Sequence, residues 1–303
     1  MLNWTTKECD FMAAGSDYQR ASMVIVGAPL DSTTSFRGGT RLGPRAIREM
    51  SYNLEDYSIE LGSEISSVSF FDAGDLVFPL GYLEESLDRI EHVADRILGD
   101  GKIPIFLGGE HLITLPIIRS VAKHYPELVV IHLDAHADLR EEYLGVRLSH
   151  ATVMRRVSEI ISPSNLFQFG VRSATRDEII FARDNGYMSV DEVLGGLEEV
   201  TPVLKGRPVY LSLDIDVVDP AFAPGVGTPE PGGIDSRELL QSVYYLYDLN
   251  VVGLDIVEVN PTYDLSGRTA ALAAKVLREA IICCSAGRRG KIKIVENNKH
   301  SIS

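Results

Sequence analysis

A chain of 303 residues, 45% apolar and 24% charged, can bury a sizeable core and has the balance of an ordinary globular domain. Its formal net charge of −14 argues against nucleic-acid or anionic-membrane binding, which need clustered Lys and Arg, and is compatible with a small cationic substrate. Cys9, Cys283 and Cys284 are an odd number, two of them adjacent. They form neither a disulfide framework nor a C-x-x-C zinc site, so a reducing, cytoplasmic setting is expected.

The first twenty residues, MLNWTTKECDFMAAGSDYQR, contain no long apolar stretch and do not read as a secretory signal. No later run approaches the roughly 18 apolar residues of a membrane span. Short apolar runs then alternate with amphipathic segments, the rhythm of a parallel α/β sheet. Strands are predicted at 22–28, 67–72, 103–107, 128–134, 165–171, 186–190, 208–214 and 251–257. Their near-continuous Val, Ile, Leu and Phe content predicts burial on both faces. Among the helices between them, 82–98 places Leu83, Leu87, Ile90, Val93, Ala94 and Ile97 on one stripe. Asp235 is a predicted N-cap for 236–248, paired with Glu238 in a capping-box pattern, and 267–286 is a long closing helix. The Pro- and Gly-rich loop 219–233 directly follows a strand, a position where binding residues are often held. The polar tail 288–303 is expected to fray or to pack on a neighbour. No repeat or linker divides the chain, so one domain over 1–303 is expected, with its core at about 20–286 and the tail beyond.

The unusual acids and histidines fall at strand ends, where ligands bind in open parallel sheets. His111 follows the third strand in Gly108-Gly109-Glu110-His111. Asp134, His136 and Asp138 end the fourth in a D-x-H-x-D run, and Asp214 and Asp216 end the seventh. Alternation along a strand points Asp134 with His136, and Asp214 with Asp216, to common sides. Asp138 cannot continue that line. Four residues of strand would carry it roughly 13 Å away, whereas metal–oxygen bonds are about 2 Å long, so the chain must turn after His136. His132 has the right parity but lies deeper, and is expected to be a buried, hydrogen-bonded core histidine. Four neighbouring carboxylates repel unless cations neutralise them, and two divalent ions balance four aspartates. A donor set of carboxylates and imidazoles without thiolate suits Mn²⁺ better than Zn²⁺, without excluding Zn, Ni or Co. D-x-H-x-D alone is also compatible with a solvated strand end; the second D-x-D and the GGEH shift the balance to a metal site. Gly108 and Gly109 lack the G-K-[ST] of a phosphate loop, and close backbone approach at the metal site is the expected reason for them.

Taken together and in order, GGEH (108–111), LDAHADLR (133–140), SHAT (149–152), SLDIDVVDPAFAPGVGTPEPGG (212–233) and DIVEVNP (255–261) resemble the signature blocks of the ureohydrolase family of arginases and agmatinases. The resemblance runs from about residue 20 to 286. It implies a three-layer α/β/α sandwich with a central, mostly parallel sheet of about eight strands. It also implies two Mn²⁺ ions that activate a shared water, with His111 and Asp138 on one ion, His136 and Asp216 on the other, and Asp134 and Asp214 bridging. The water would attack a guanidinium carbon to give urea and an amine. Asp138 would pass a proton to the leaving amine, His150 would shuttle protons, and Glu258 would pair with the guanidinium. Without the resemblance, Glu258 reads as a strand-end acid and His150 as a loop histidine. The family further implies a homotrimer or homohexamer.

Leu139-Arg140-Glu141-Glu142-Tyr143 stands where arginases carry small polar residues that hold the substrate carboxylate. This looks like the agmatinase branch, with agmatine as substrate and putrescine and urea as products. Glu141, Glu142 or the 219–233 loop is placed to meet the substrate ammonium, although solvated loop charges are the plainer reading of the two glutamates. Arg140, if it faces the pocket, favours an acid-bearing substrate. Aminopropylagmatine, guanidinobutyrate, guanidine and arginine remain alternatives, as do a non-catalytic metal-binding relative and a single-zinc deacetylase.

Overall fold

The computed structural model of the chain describes residues 2, 4–190 and 192–289, the last four for their backbone alone. Eight strands form where apolar runs were expected: Met23–Ala28 (β2), Phe70–Leu76 (β5), Ile103–Gly108 (β6), Val129–Leu133 (β7), Leu166–Val171 (β8), Tyr187–Val190 (β9), Pro208–Asp214 (β10) and Asn250–Val257 (β11). The expected burial on both faces fails at β9, a four-residue edge strand that buries no residue. All eight match predicted strands. β5 begins three residues late because a 3-10 turn over Ile65–Ser67 precedes it. Two further short pieces were not legible: Thr5–Thr6 (β1), and a hairpin of Tyr57–Ser58 (β3) with Ser63–Glu64 (β4). At two residues each, they carry no periodicity.

Among the described residues the main sheet has nine strands in the order β1-β5-β2-β6-β11-β10-β7-β8-β9. The eight long strands run parallel, and β1 adds an antiparallel edge. The expected eight-stranded sheet is thus one strand wider. Along β7, Val129, Ile131 and Leu133 enter one core cluster while Val130 enters the other. The first cluster is covered by Gly43–Ser51 (α1), Leu194–Leu204 (α6), Ser236–Tyr244 (α7) and Arg268–Arg289 (α8). The second is covered by Leu83–Gly99 (α2), Thr114–His124 (α3), Val153–Ile161 (α4) and Arg176–Asn185 (α5). The result is a three-layer α/β/α sandwich. No helix among the described residues is long and apolar enough to cross a membrane.

The three helices predicted individually are present. α2 buries the stripe from Leu87 to Ile97, and α8 closes the fold. The 236–248 segment is α7 followed by a 3-10 turn over Tyr245–Asp248. Asp235 caps α7 by accepting from the Arg237 and Glu238 amides at 2.9 and 2.8 Å. Its partner does not reciprocate: Glu238 accepts from the backbone of Leu194 instead. The expected tail 288–303 lies outside the described residues from 290 onward.

Chain order and sheet order part company at the centre. After β6 the chain skips two positions to lay down β7, and β11 and β10 later fill the gap. The carboxyl ends of β6, β11, β10 and β7 therefore stand side by side, at the crevice such a switch creates. Register aligns them: Leu133 pairs with Leu213, and Asp214 with Val257. Asp134, Asp214 and Glu258 thus emerge at nearly one level.

Arg172, just after β8, fastens the loops around this crevice. Its guanidinium donates to the carbonyls of Gly170, Asp216, Val217 and Glu230 at 2.7–3.3 Å. Arg172→Met leaves those carbonyls without a donor. It is expected to cost about 2–4 kcal/mol of stability, readable as an earlier midpoint in urea unfolding. A midpoint unchanged from wild type would show that water replaces the guanidinium at no cost.

Candidate metal centre and active site

His111 is delivered by a 3-10 turn at the end of β6 and is fully buried. Its Nε2 lies 3.0 Å from the Ser212 hydroxyl, which spends its own proton on Asp255 at 2.8 Å. The hydroxyl must therefore accept, and Nε2 carries the imidazole proton. That leaves the Nδ1 lone pair facing Asp134 at 3.1 Å and Asp138 and Asp214 at 3.2 Å, with no hydrogen-bond partner of its own. Three carboxylates around this buried nitrogen need a positive charge among them, a proton on Nδ1 or a divalent ion in its place. His136 repeats the pattern, with Nδ1 3.0 Å from Asp216 and 3.3 Å from Asp134. The donor set fits a pair of divalent ions, with Asp134 facing both histidines.

The geometry within each motif departs from strand alternation. β7 ends at Leu133, and the chain turns at once: the His136 amide donates to Asp134 Oδ1 at 2.6 Å. Asp216 sits in a 3-10 turn capped by Asp214, whose Oδ1 accepts the Asp216 amide at 2.8 Å. Each pair does face one spot. The cause is an aspartate capping the amide two residues on, not the pleat. The turn required before Asp138 is present, and Asp138 takes a left-handed φ of 54°. Glu258 does the same, at 64°. Non-glycine residues held there mark a backbone bent to aim side chains, a feature that clusters at functional sites.

His111, His136, Asp138, His150, Asp214 and Glu258 line one pocket of about 290 Å³, with Asp134 and Asp216 buried behind them. All eight predicted site residues are brought together. Glu258 Oε1 accepts the His111 amide at 2.8 Å, so the GGEH turn and the end of β11 brace each other. Burial pushes the Glu258 carboxyl well above its usual range despite that bond. His150 opens a 3-10 turn capped by Ser149, and its ring lies 3.4 Å from the hydroxyls of Thr33 and Ser35. His132 is buried and hydrogen-bonded, as expected, although close enough to His111, Asp134 and Asp138 to share their cluster.

Of the two readings of Glu141, the solvated loop charge is the one found: its exposed carboxylate is gripped by Arg147, Arg155 and Arg156 at 2.9–3.2 Å, and these cations hold its pKa down. Neither Glu141 nor Glu142 lines the pocket, and the 219–233 loop contributes Thr228. The two glycines pack against neighbouring chain, not against the metal site. A Cβ on Gly109 would lie 2.0 Å from the Leu30 carbonyl, and one on Gly108 2.6 Å from Val257.

Several pocket or supporting residues were missed. Arg140, considered only conditionally, lines the pocket with its guanidinium 5.0 Å from the Tyr143 ring centre. Glu178 accepts the Leu139 and Thr175 amides at 2.9 and 2.7 Å, clamping the pocket wall. Thr175-x-x-Glu178 is a capping box that its spacing alone could have revealed. Buried Glu110 accepts the Ser32 and Thr33 amides, both at 2.7 Å, and so fixes the loop that reaches His150.

This sheet and this cluster define an α/β/α protein with a His/Asp site able to hold metal at the carboxyl ends of its central strands. The arginase family model matches residues 21–283. The agmatinase of Halalkalibacterium halodurans is 48% identical over 275 residues, 90% of this chain and 95% of that protein; the agmatinase of Bacillus subtilis matches to the same extent. The crystal structure of agmatine ureohydrolase of Thermoplasma volcanium superposes with a TM-score of 0.84 at 34% identity, covering 94% of this chain and 97% of that one. The chain belongs to the arginase family.

Proposed function

We propose that this chain is a single-domain ureohydrolase that converts agmatine to putrescine and urea. The observation that carries the reading is Glu258, a buried carboxylate braced on His111 in the same pocket as His136, Asp138 and Asp214. Its similarity to agmatinases over nine-tenths of its length supports the substrate. In this reading His111 with Asp138 would hold one divalent ion and His136 with Asp216 a second, Asp134 and Asp214 would serve both, and Mn²⁺ would be the native metal. Two divalent ions, when bound, lower the pKa of a shared water and so supply a nucleophile at neutral pH.

The chain's own residues do the rest. Glu258 pairs with the planar guanidinium and sets its carbon over the cluster, a positioning effect. Asp138, which lines the pocket beside His111, carries the proton to the leaving nitrogen. His150, held between Ser149, Thr33 and Ser35, exchanges protons with the pocket mouth. Tyr143, which also lines the pocket, packs edge-on against His150, 5.7 Å between ring centres. The same reading makes the protein a homotrimer or homohexamer of the cytoplasm.

One observation favours a second substrate: Arg140 in the pocket lining suits an acid-bearing guanidino compound better than an ammonium. Urea release with Mn²⁺ across agmatine, aminopropylagmatine, guanidinobutyrate, guanidine and arginine decides between them. Agmatine is expected to give the highest kcat/KM. A higher value for guanidinobutyrate transfers the assignment to the acid, and bound metal without turnover of any of these makes the chain a binding protein.

A further inference from the structure

One register beneath the ligands, a polar row crosses the sheet. Gln168 of β8 pairs with His132 of β7, His132 with Ser212 of β10, and Ser212 with Asp255 of β11. All four are buried. The Ser212–Asp255 half orients His111, as described above. The other half points toward Asp134.

The Gln168 amide nitrogen lies 2.7 Å from the Ala137 carbonyl and 2.9 Å from His132 Nδ1. A flipped amide would set two carbonyl oxygens against each other at the first contact, so nitrogen occupies that place. An amide nitrogen has two protons and no acceptor capacity, and His132 Nδ1 must therefore accept. The imidazole proton then sits on Nε2, which donates to Asp134 Oδ2 at 2.9 Å. Both ring nitrogens are thereby used, and His132 has no lone pair left for a metal despite its proximity. The Asp134 carboxylate is pinned at both oxygens, Oδ2 by His132 and Oδ1 by the His136 amide. Rotation about its Cβ–Cγ bond, which would turn its lone pairs away from the two ion positions, is blocked.

Resting on the metal-centre reading, we propose that Gln168 and His132 are positioning residues for that centre. The relay Gln168–His132 sets the Asp134 carboxylate. The same Gln168 amide anchors the Ala137 carbonyl, and with it the turn that presents His136 and Asp138. A hydrogen-bonding partner outside the ligand set commonly tunes metal affinity about 10- to 100-fold.

The test is calorimetric titration of the chelator-stripped full chain with Mn²⁺, with thermal unfolding of the stripped protein alongside. In His132→Asn the short amide reaches Gln168 but not Asp134, and Mn²⁺ binding is expected to weaken about 10- to 100-fold. His132→Gln puts an amide nitrogen near the Nε2 position and should recover most of that loss at an equal stripped-protein midpoint. Gln168→Met should weaken binding as His132→Asn does. Affinity within threefold of wild type in His132→Asn overturns the proposal. So does equal weakening in the Asn and Gln variants that follows the loss of midpoint. Should His132→Asn not fold, the contrast between His132→Gln and Gln168→Met decides, and equal affinities overturn the proposal. A wild-type chain that binds no Mn²⁺ brings down the metal-centre reading instead, and this proposal with it.

Discussion

Loading the stripped protein with Mn²⁺ is expected to release protons, and apparent affinity should climb steeply with pH. Burial opposes a charge on His136, but Asp216 and Asp134 outweigh it, and its pKa is raised far above the ordinary imidazole value. His111 moves the same way: burial is overcome by Asp134, Asp138 and Asp214. Burial, reinforced by neighbouring carboxylates, also raises Asp214 and Asp216. Ligands must be deprotonated to bind, so each ion displaces protons from its histidine. The sign follows from the direction of the shift. Raised histidine pKa values carry the proton competition to higher pH than free imidazole would, so affinity keeps rising as pH rises past the ordinary imidazole range. Each proton displaced steepens the dependence by about tenfold per pH unit. Calorimetry in buffers of different ionisation enthalpy counts the protons. An affinity unchanged between pH 6 and 8, with no proton release, would show that the histidines are not ligands. Saturation should also stabilise the fold by about 4 kcal/mol per site at a thousandfold excess over Kd, and chelation should abolish turnover.

The parts of this molecule legible in the sequence share a physical origin. Strands buried on both faces must be continuously apolar, which is why the inner strands could be bounded to within a few residues, while the edge strand β9 was found although it buries no residue. The D-x-H-x-D run was legible because bond lengths forbid Asp138 on a straight strand, and its left-handed φ is the turn that arithmetic required. What stayed hidden depends on which strands become neighbours. His132, Ser212, Asp255 and Gln168 form one polar row only after β10 and β11 insert between β6 and β7. Each alone is an ordinary buried polar residue. At Glu141 the sequence left two readings open, an ammonium partner and a solvated loop charge, and Arg147, Arg155 and Arg156, folding onto it from beyond the motif and α4, decide for the second. Arg140 and Tyr143 were in view as residues, but their stacking in the pocket lining required the loop's path.

Replacing Asp138 with Asn should separate the two roles assigned to that residue. Asn is the appropriate probe because it tolerates left-handed backbone; a β-branched residue at φ 54° would add strain and confuse the result. The backbone contacts should survive, including the Arg155 amide donating to the Asp138 carbonyl at 3.1 Å. The Asn side-chain oxygen can still face the ion shared with His111, so weakened binding can be offset by raising the metal concentration. Asn cannot take a proton from the attacking water and pass it to the leaving nitrogen. At saturating Mn²⁺, kcat should fall about 10²- to 10⁴-fold, the usual contribution of a positioned acid–base group. KM for the guanidino substrate should change little, because Glu258 and not Asp138 is assigned to the guanidinium. Single-turnover urea release at a series of metal concentrations reads both effects at once. A kcat restored by metal alone would leave Asp138 as a ligand and nothing more, and the proton would have to travel through His150.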